Sequence, residues 1–144
     1  FMEKQIEKVY VAITNKGPIE PGLIDLPLAP TPGNSARFCV DPNGRRAVTE
    51  VLKVIPLDDT FQMLLLKLHT GRTHQIRVHL AHLGLPVAGD LWYEGPEYNR
   101  LFLHAHSIKI RNKALGEHYF VAPLPDYWAE TFHALEMESI KILD

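Results

Sequence analysis

The chain has 144 residues, 46% hydrophobic and 22% charged, the composition of a single globular domain able to bury a core. Its 15 Lys+Arg against 17 Asp+Glu leave a net charge of −2, without the basic excess that is the usual footprint of a dedicated nucleic-acid binder. The longest apolar runs, such as Val9–Ile13 and Leu64–Leu66, are far shorter than the roughly 20 residues that cross a bilayer, and no charged-then-apolar leader opens the chain, so a cytoplasmic protein with no membrane partner is expected.

In chain order, the Glu- and Lys-rich stretch Phe1–Lys8 reads as the tail of a helix entered from upstream. Lys8–Thr14 is then a strand. Gly17–Asn34 is rich in Pro and Gly and predicts a loop with one short extended piece at Leu23–Asp25. Ala36–Val40 is a second strand and contains Cys39, which as the single cysteine forms neither an internal disulfide nor a cysteine-rich zinc site. Asp41–Gly44 is a turn, Ala47–Ile55 a strand, Asp58-Asp59 a turn and Gln62–His69 a strand. Gly71 permits a sharp bend, Thr73 is placed to cap a short helix, and Gly84 followed by Pro86 ends it. Leu101–Ile110 and His118–Val121 are strands. Trp128, Phe132 and Leu135 recur at helical spacing within a helix over Pro125–Glu138. Many strands, few helices and short turns predict an α+β fold with a mixed, mainly antiparallel sheet over the whole of 1–144.

Charge concentrates where the total does not show it. From Thr60 to Gly89 there are Lys67, Arg72 and Arg77 and no acidic residue. At about 100° per residue, Ile76, Leu80 and Leu83 share a face expected to be buried, Gln75, His79 and His82 share the opposite side, and Arg77 lies on the boundary. A guanidinium there calls for a carboxylate or phosphate partner, and the N–H groups of the helix start beside Arg72 offer a second, weaker anion site. The ordinary alternative is a structural salt bridge, with Asp90 as the near partner. His79 with His82, and His104 with His106, have spacings that suit a metal, although satisfied histidines on a sheet or helix are the commoner outcome. Trp92-Tyr93 could stack on bases or simply pack locally.

The stretch Leu68–Gly84, with Thr70-Gly71-Arg72-Thr73-His74-Gln75-Ile76-Arg77 at its centre and Pro86 and Gly89-Asp90 after it, resembles the signature of the RluA-type pseudouridine synthase family. Further matches run along the chain: Glu7–Ala12 resembles the family's Lys-x-Tyr-x-Ala strand, and Ile24, Pro27-Leu28, Ala47 with Thr49, Leu103–Ala105 and Ala122–Pro125 also fit. Leu85 departs, standing where the family often has histidine.

The resemblance implies part of the pseudouridine synthase catalytic fold and an isomerase acting on rRNA or tRNA, with no metal or organic cofactor. Such an enzyme breaks the bond between uracil and ribose, rotates the base and rejoins it through carbon. Tyr10 matches the tyrosine that stacks on the flipped uracil, and Arg77 the arginine that holds the nucleophilic aspartate. Arg72 and Lys67, with Arg45 and Arg46, are expected at phosphate, and Thr73, His74, Gln75 and Ile76 complete the substrate-binding set. The family's nucleophile lies in a Gly-Arg-Leu-Asp motif that nothing in this chain matches, and Asp25 and Asp90 occupy structural contexts. These residues are therefore expected to be the later portion of one catalytic domain, without its N-terminal part or any N-terminal RNA-binding module, and inactive alone. Tyr10 and Arg77 are expected to open on one concavity, with no acidic residue of the chain paired with Arg77; the two on opposite faces of the sheet, or Arg77 locked to Asp90, would defeat both assignments. Two rivals are a non-catalytic RNA-binding module and a metal-dependent hydrolase using His79, His82, His104 and His106.

Overall fold

The computed structural model describes residues 4–114 and 116–132. The elements are β1 (Lys4–Asn15), β2 (Gly22–Asp25), β3 (Leu28–Thr31), β4 (Asn34–Val40), β5 (Val48–Pro56), β6 (Phe61–Leu68), α1 (Gln75–His82), a single 3-10 turn at Leu91–Tyr93, β7 (Leu103–Asn112), β8 (Gly116–Val121) and α2 (Asp126–Thr131). Six strands form one sheet in the order β2-β5-β6-β1-β7-β8, and β3 and β4 form a separate two-stranded ribbon. Every pairing between these strands is antiparallel. This is the expected α+β fold.

The two central strands are covered on both faces, so their sequences are continuously apolar rather than alternating. Val11 and Ile13 of β1 join Met63 and Leu65 of β6 against Phe102, Trp128 and Phe132 on the α2 side. Ala12 joins Leu64 and Leu66 against Ile76 and Leu80 on the α1 side, with Tyr10 packed at its margin. Period-2 alternation from Ala12 thus turns Tyr10 towards α1.

The β1–β7 ladder is regular except between Val9 and Tyr10, whose partners step from Ser107 to Ala105 and leave His106 as an extra residue. This bulge lies directly beside Tyr10.

Three expectations need correction. Residues 4–8 are strand, not helix: β1 begins at Lys4 because Lys4–Lys8 pair with Ile108–Asn112, and ladder pairing overrides their helical propensity. The loop reading of Gly17–Asn34 missed β3, in which Pro30 stands opposite Phe38, whose amide bonds Tyr93 Oη and not β3. Among the described residues α2 ends at Thr131, and residues 133–138 of the expected second helix lie outside them.

Candidate active site

A cavity of about 260 Å³ opens between β1 and the start of α1. Tyr10 and the apolar Leu68, Leu101 and Leu103 line it together with Arg72, His74, Gln75, Ile76 and Arg77. The expected meeting of Tyr10 and Arg77 on one concavity is met, and among the described residues no carboxylate lines it. Strand alternation presents Tyr10, and one helical turn presents His74, Gln75 and Arg77. Of the other expected residues, Thr73 is exposed outside the lining, and Lys67 is turned to Glu7 at 3.3 Å, an ion pair that draws the Glu7 carboxyl below its usual range.

Arg77 is locked to an internal partner, contrary to expectation and the outcome set above as defeating the assignments of Tyr10 and Arg77; what stands is their shared cavity. Its Nε donates to Asp90 Oδ2 and its Nη2 to Asp90 Oδ1, both at 2.9 Å. The Asp90 side chain is wholly buried and that of Arg77 is 18% exposed. This two-point bond pushes the guanidinium pKa up. Gly89 places Asp90: its φ is +83°, and a Cβ there would run into the Arg100 carbonyl, so only glycine fits. Arg77 also lies over the rings of Trp92 and Tyr93, at 5.9 and 5.3 Å from their centroids. The two-point grip expected for the nucleophilic aspartate is therefore already filled, and among the described residues Nη1 makes no hydrogen bond.

The polar side of α1 is also not where helical spacing put it. Gln75 and His79 are buried, while Leu83 is 41% exposed. Gln75 Nε2 donates to the Val48 carbonyl and Thr49 Oγ1, both at 2.9 Å. Its Oε1 accepts from Thr70 Oγ1 at 2.6 Å and from the Arg72 amide at 3.0 Å. The Thr70 oxygen in turn accepts the Val48 amide at 2.8 Å. His79 Nε2 lies 2.8 Å from the Leu26 carbonyl, which can only accept, so Nε2 carries the proton and Nδ1 takes that of Thr49 Oγ1 at 2.9 Å. Burial pushes the His79 pKa down and keeps it neutral. This network fastens α1 to β5 and to the chain after β2, and it fixes the helix that carries Arg77.

Thr73 does not cap the helix. The cap position falls on His74, with φ 54° and ψ 24° and no side-chain cap bond. Its ring is met edge-on by Phe38, Trp92 and Tyr93, with centroids 6.4, 5.6 and 5.9 Å away. Tyr93 Oη accepts the Phe38 amide at 3.0 Å and lies 3.0 Å from His74 Nδ1. Sequence reading weighed Trp92-Tyr93 as a stacking platform against local packing and missed this role; the signal was two aromatics one residue beyond Gly89-Asp90.

Arg72 lines the cavity and is steadied by Nε donating to the Arg46 carbonyl at 2.8 Å. Arg46 itself is exposed and near Asp25 at 4.0 Å. The histidine pairs do not assemble as ligands: both His79 nitrogens are bound, His82 is exposed, and His104 Nε2 bonds the Ala122 carbonyl at 2.8 Å on the α2 side of the sheet. His106 has both nitrogens buried with no hydrogen-bond partner among the described residues.

A family model described as RNA pseudouridylate synthase matches residues 1–82, more than half of the chain. An uncharacterized RNA pseudouridine synthase of Chloroflexus aurantiacus is 40% identical over 128 residues, covering 85% of this chain and 40% of that protein. Another, of Zymomonas mobilis, is 37% identical over 132 residues, covering 87% and 60%. The ribosomal large subunit pseudouridine synthase D of Haemophilus influenzae is 30% identical over 161 residues, covering 100% and 49%. The chain thus spans between 40% and 60% of the length of these relatives. Among solved structures, human RNA pseudouridylate synthase domain containing 1 superposes with a TM-score of 0.73 at 22% identity, over 96% of this chain and 65% of that one, a likeness of fold. The human domain containing 4 gives 0.72 at 25% identity, over 92% and 64%. Signature, family model and relatives agree, and the chain belongs to the RNA pseudouridylate synthase family, of the RluA type.

Proposed function

We propose that this chain forms the tyrosine-and-arginine side of the active site of an enzyme that isomerises uridine to pseudouridine in ribosomal RNA. The cavity carries the reading: an aromatic ring, a guanidinium and apolar walls, with no carboxylate in its lining. Extruding a base costs a few kcal/mol, and stacking on an aromatic ring returns about 1–3 kcal/mol. Tyr10 is the ring placed to supply that stacking. The choice of ribosomal RNA is supported by the likeness to the ribosomal large subunit pseudouridine synthase D of Haemophilus influenzae.

The nucleophilic aspartate is proposed to come from residues outside these 144. Asp90 is buried and held at two points by Arg77, and Asp25 is not in the cavity lining. An incoming carboxylate would meet one free edge of Arg77, through Nη1, and the nearby positive charge would keep it ionised. Arg77 in this arrangement is held rigid by Asp90 and does not enclose the nucleophile at two points. Arg72 and the neighbouring Arg46 segment would hold backbone phosphate.

The test uses the full-length protein that carries this chain, ribosomal RNA transcripts, and release of the uracil C5 hydrogen as readout. Turnover is expected from the full-length protein and none from residues 1–144 alone. Tyr10→Leu should lower turnover by about 5- to 150-fold, the stacking energy converted to rate. Turnover by residues 1–144 would mean that the nucleophile has been misplaced. RNA binding unchanged by loss of Tyr10 and Arg77, with no turnover from the full-length protein, would favour the non-catalytic RNA-binding module.

A further inference from the structure

His74 has a φ of 54°, and among the described residues only Glu94 is another non-glycine residue with positive φ. Such a conformation costs free energy and persists where surrounding contacts over-determine it. Here the contacts are three aromatic rings packed edge-on around the imidazole and the bond between Nδ1 and Tyr93 Oη.

That bond also decides which nitrogen carries the proton. Tyr93 Oη has one proton to give and already accepts the Phe38 amide. Among the described residues, the one acceptor within reach of that proton is His74 Nδ1. If Nδ1 were the donor instead, the phenol proton would have no partner. The arrangement that satisfies every group therefore puts the Tyr93 proton on Nδ1 and the imidazole proton on Nε2. Nε2 makes no hydrogen bond among the described residues, and His74 is half-buried and lines the cavity. The Phe38 amide of β4, the Tyr93 hydroxyl and His74 thus form a relay that fixes one tautomer.

On the basis of the pseudouridine synthase reading, we infer that His74 is a substrate-contacting residue whose Nε2–H donates to a carbonyl oxygen of the uracil held in the cavity. Burial, and then the charge of Arg77, hold the imidazole pKa below its ordinary value, so the donor is neutral. A neutral N–H is matched to a neutral carbonyl, and Arg72 already supplies the positive charge that a phosphate requires. The relay makes the donor preorganised: no tautomer has to change when the base arrives.

Nitrogen-15 spectra of the histidine side chains in the full-length protein test the relay. The proton of His74 is expected on Nε2, with this preference lost in Tyr93→Phe. A wild-type proton on Nδ1 overturns the inference. Titration with uridine monophosphate should move the Nε2 signal, and ribose 5-phosphate, which lacks the base, should not. Equal movement with both, or with neither, overturns it. For turnover, His74→Phe and His74→Gln share the same backbone demand, but only glutamine places an amide N–H near the position of Nε2. Loss of one neutral hydrogen bond should raise KM about ten-fold in the phenylalanine variant, and the glutamine variant should stay within roughly three-fold of wild type. Equal losses in the two variants would sink the donor role. That result would leave the proposed reaction standing, because pseudouridine formation by the wild type is measured in the same assay.

Discussion

Arg77 and Asp90 meet through two parallel hydrogen bonds of 2.9 Å, and the aspartate end of the pair has no solvent exposure. Removing one member strands the other. Asp90→Ala should lower stability by about 3 kcal/mol, the low end for a broken buried pair because the arginine end is partly wet. Urea denaturation measures this, and the cost should shrink when Arg77→Met is added. Independent, additive losses from the two substitutions would mean that the pair is not coupled. Arg77→Lys keeps the charge but not the two-point geometry, so turnover should fall about ten-fold or more while RNA affinity stays near wild type.

Arg72 predicts a different phenotype from the same helix start. It lines the cavity and reaches the Arg46 carbonyl, but it makes no ion pair among the described residues. Arg72→Ala should weaken RNA binding similarly across sequences and reduce the salt slope of log K by about 1. Filter-binding or anisotropy titrations at several salt concentrations read this directly. An unchanged slope would remove the phosphate contact.

Gln75 is a stability residue at the edge of the site. Its amide makes four hydrogen bonds, to Val48, Thr49, Thr70 and Arg72. Gln75→Leu leaves these groups without their partner in a dry environment and should cost about 2–4 kcal/mol in urea denaturation. A loss below about 0.5 kcal/mol would show that water replaces the network readily.

His79 gives stability a pH dependence of known sign. Its folded-state pKa lies below the ordinary 6.5 because the ring is buried. The unfolded chain therefore binds more protons as pH falls through about 6.5. The stability present above that pH should decline below it, with a slope approaching about 1.4 kcal/mol per pH unit from this residue. His79→Gln, which can still donate to the Leu26 carbonyl, should flatten the profile. The same acid slope in the variant would shift the cause to another group.

The strands were legible because pairing and burial leave alternating or continuous apolar runs, and six of the eight were placed to within a few residues at each end. Lys4–Glu7 were misread because charged residues with good helical propensity lie in a strand whose partner, β7, decides the matter. On α1 a two-faced helix was assumed, with polar residues outside. Gln75 and His79 are instead inside, where their side-chain N–H groups donate to the Val48 and Leu26 carbonyls. Tyr10 and Arg77 in one cavity were anticipated, but the preference for an unpaired Arg77 was not sound: Asp90 had been weighed as its partner and set aside. The aromatic surround of His74 was invisible, since Phe38 and Tyr93 are 55 residues apart in sequence and meet only through the β4 amide.

The extra residue in β7 acts as a phase shift. Tyr10 and Ala12 face Ala105 and Leu103, while Ile6 and Lys8 on the same side of β1 face Ile110 and Ile108. Odd-numbered positions before His106 and even-numbered positions after it therefore share one face of the sheet. Deleting His106 would bring Ser107 next to Ala105, opposite Val9 and Tyr10, so the ladder would run unbroken with Leu103, Ala105, Ile108 and Ile110 still on one face. Leu103 lines the cavity opposite the helix start. What the deletion would remove is the bend and added twist of the bulge beside Tyr10, so the wall facing Tyr10 should shift while the register of β7 survives.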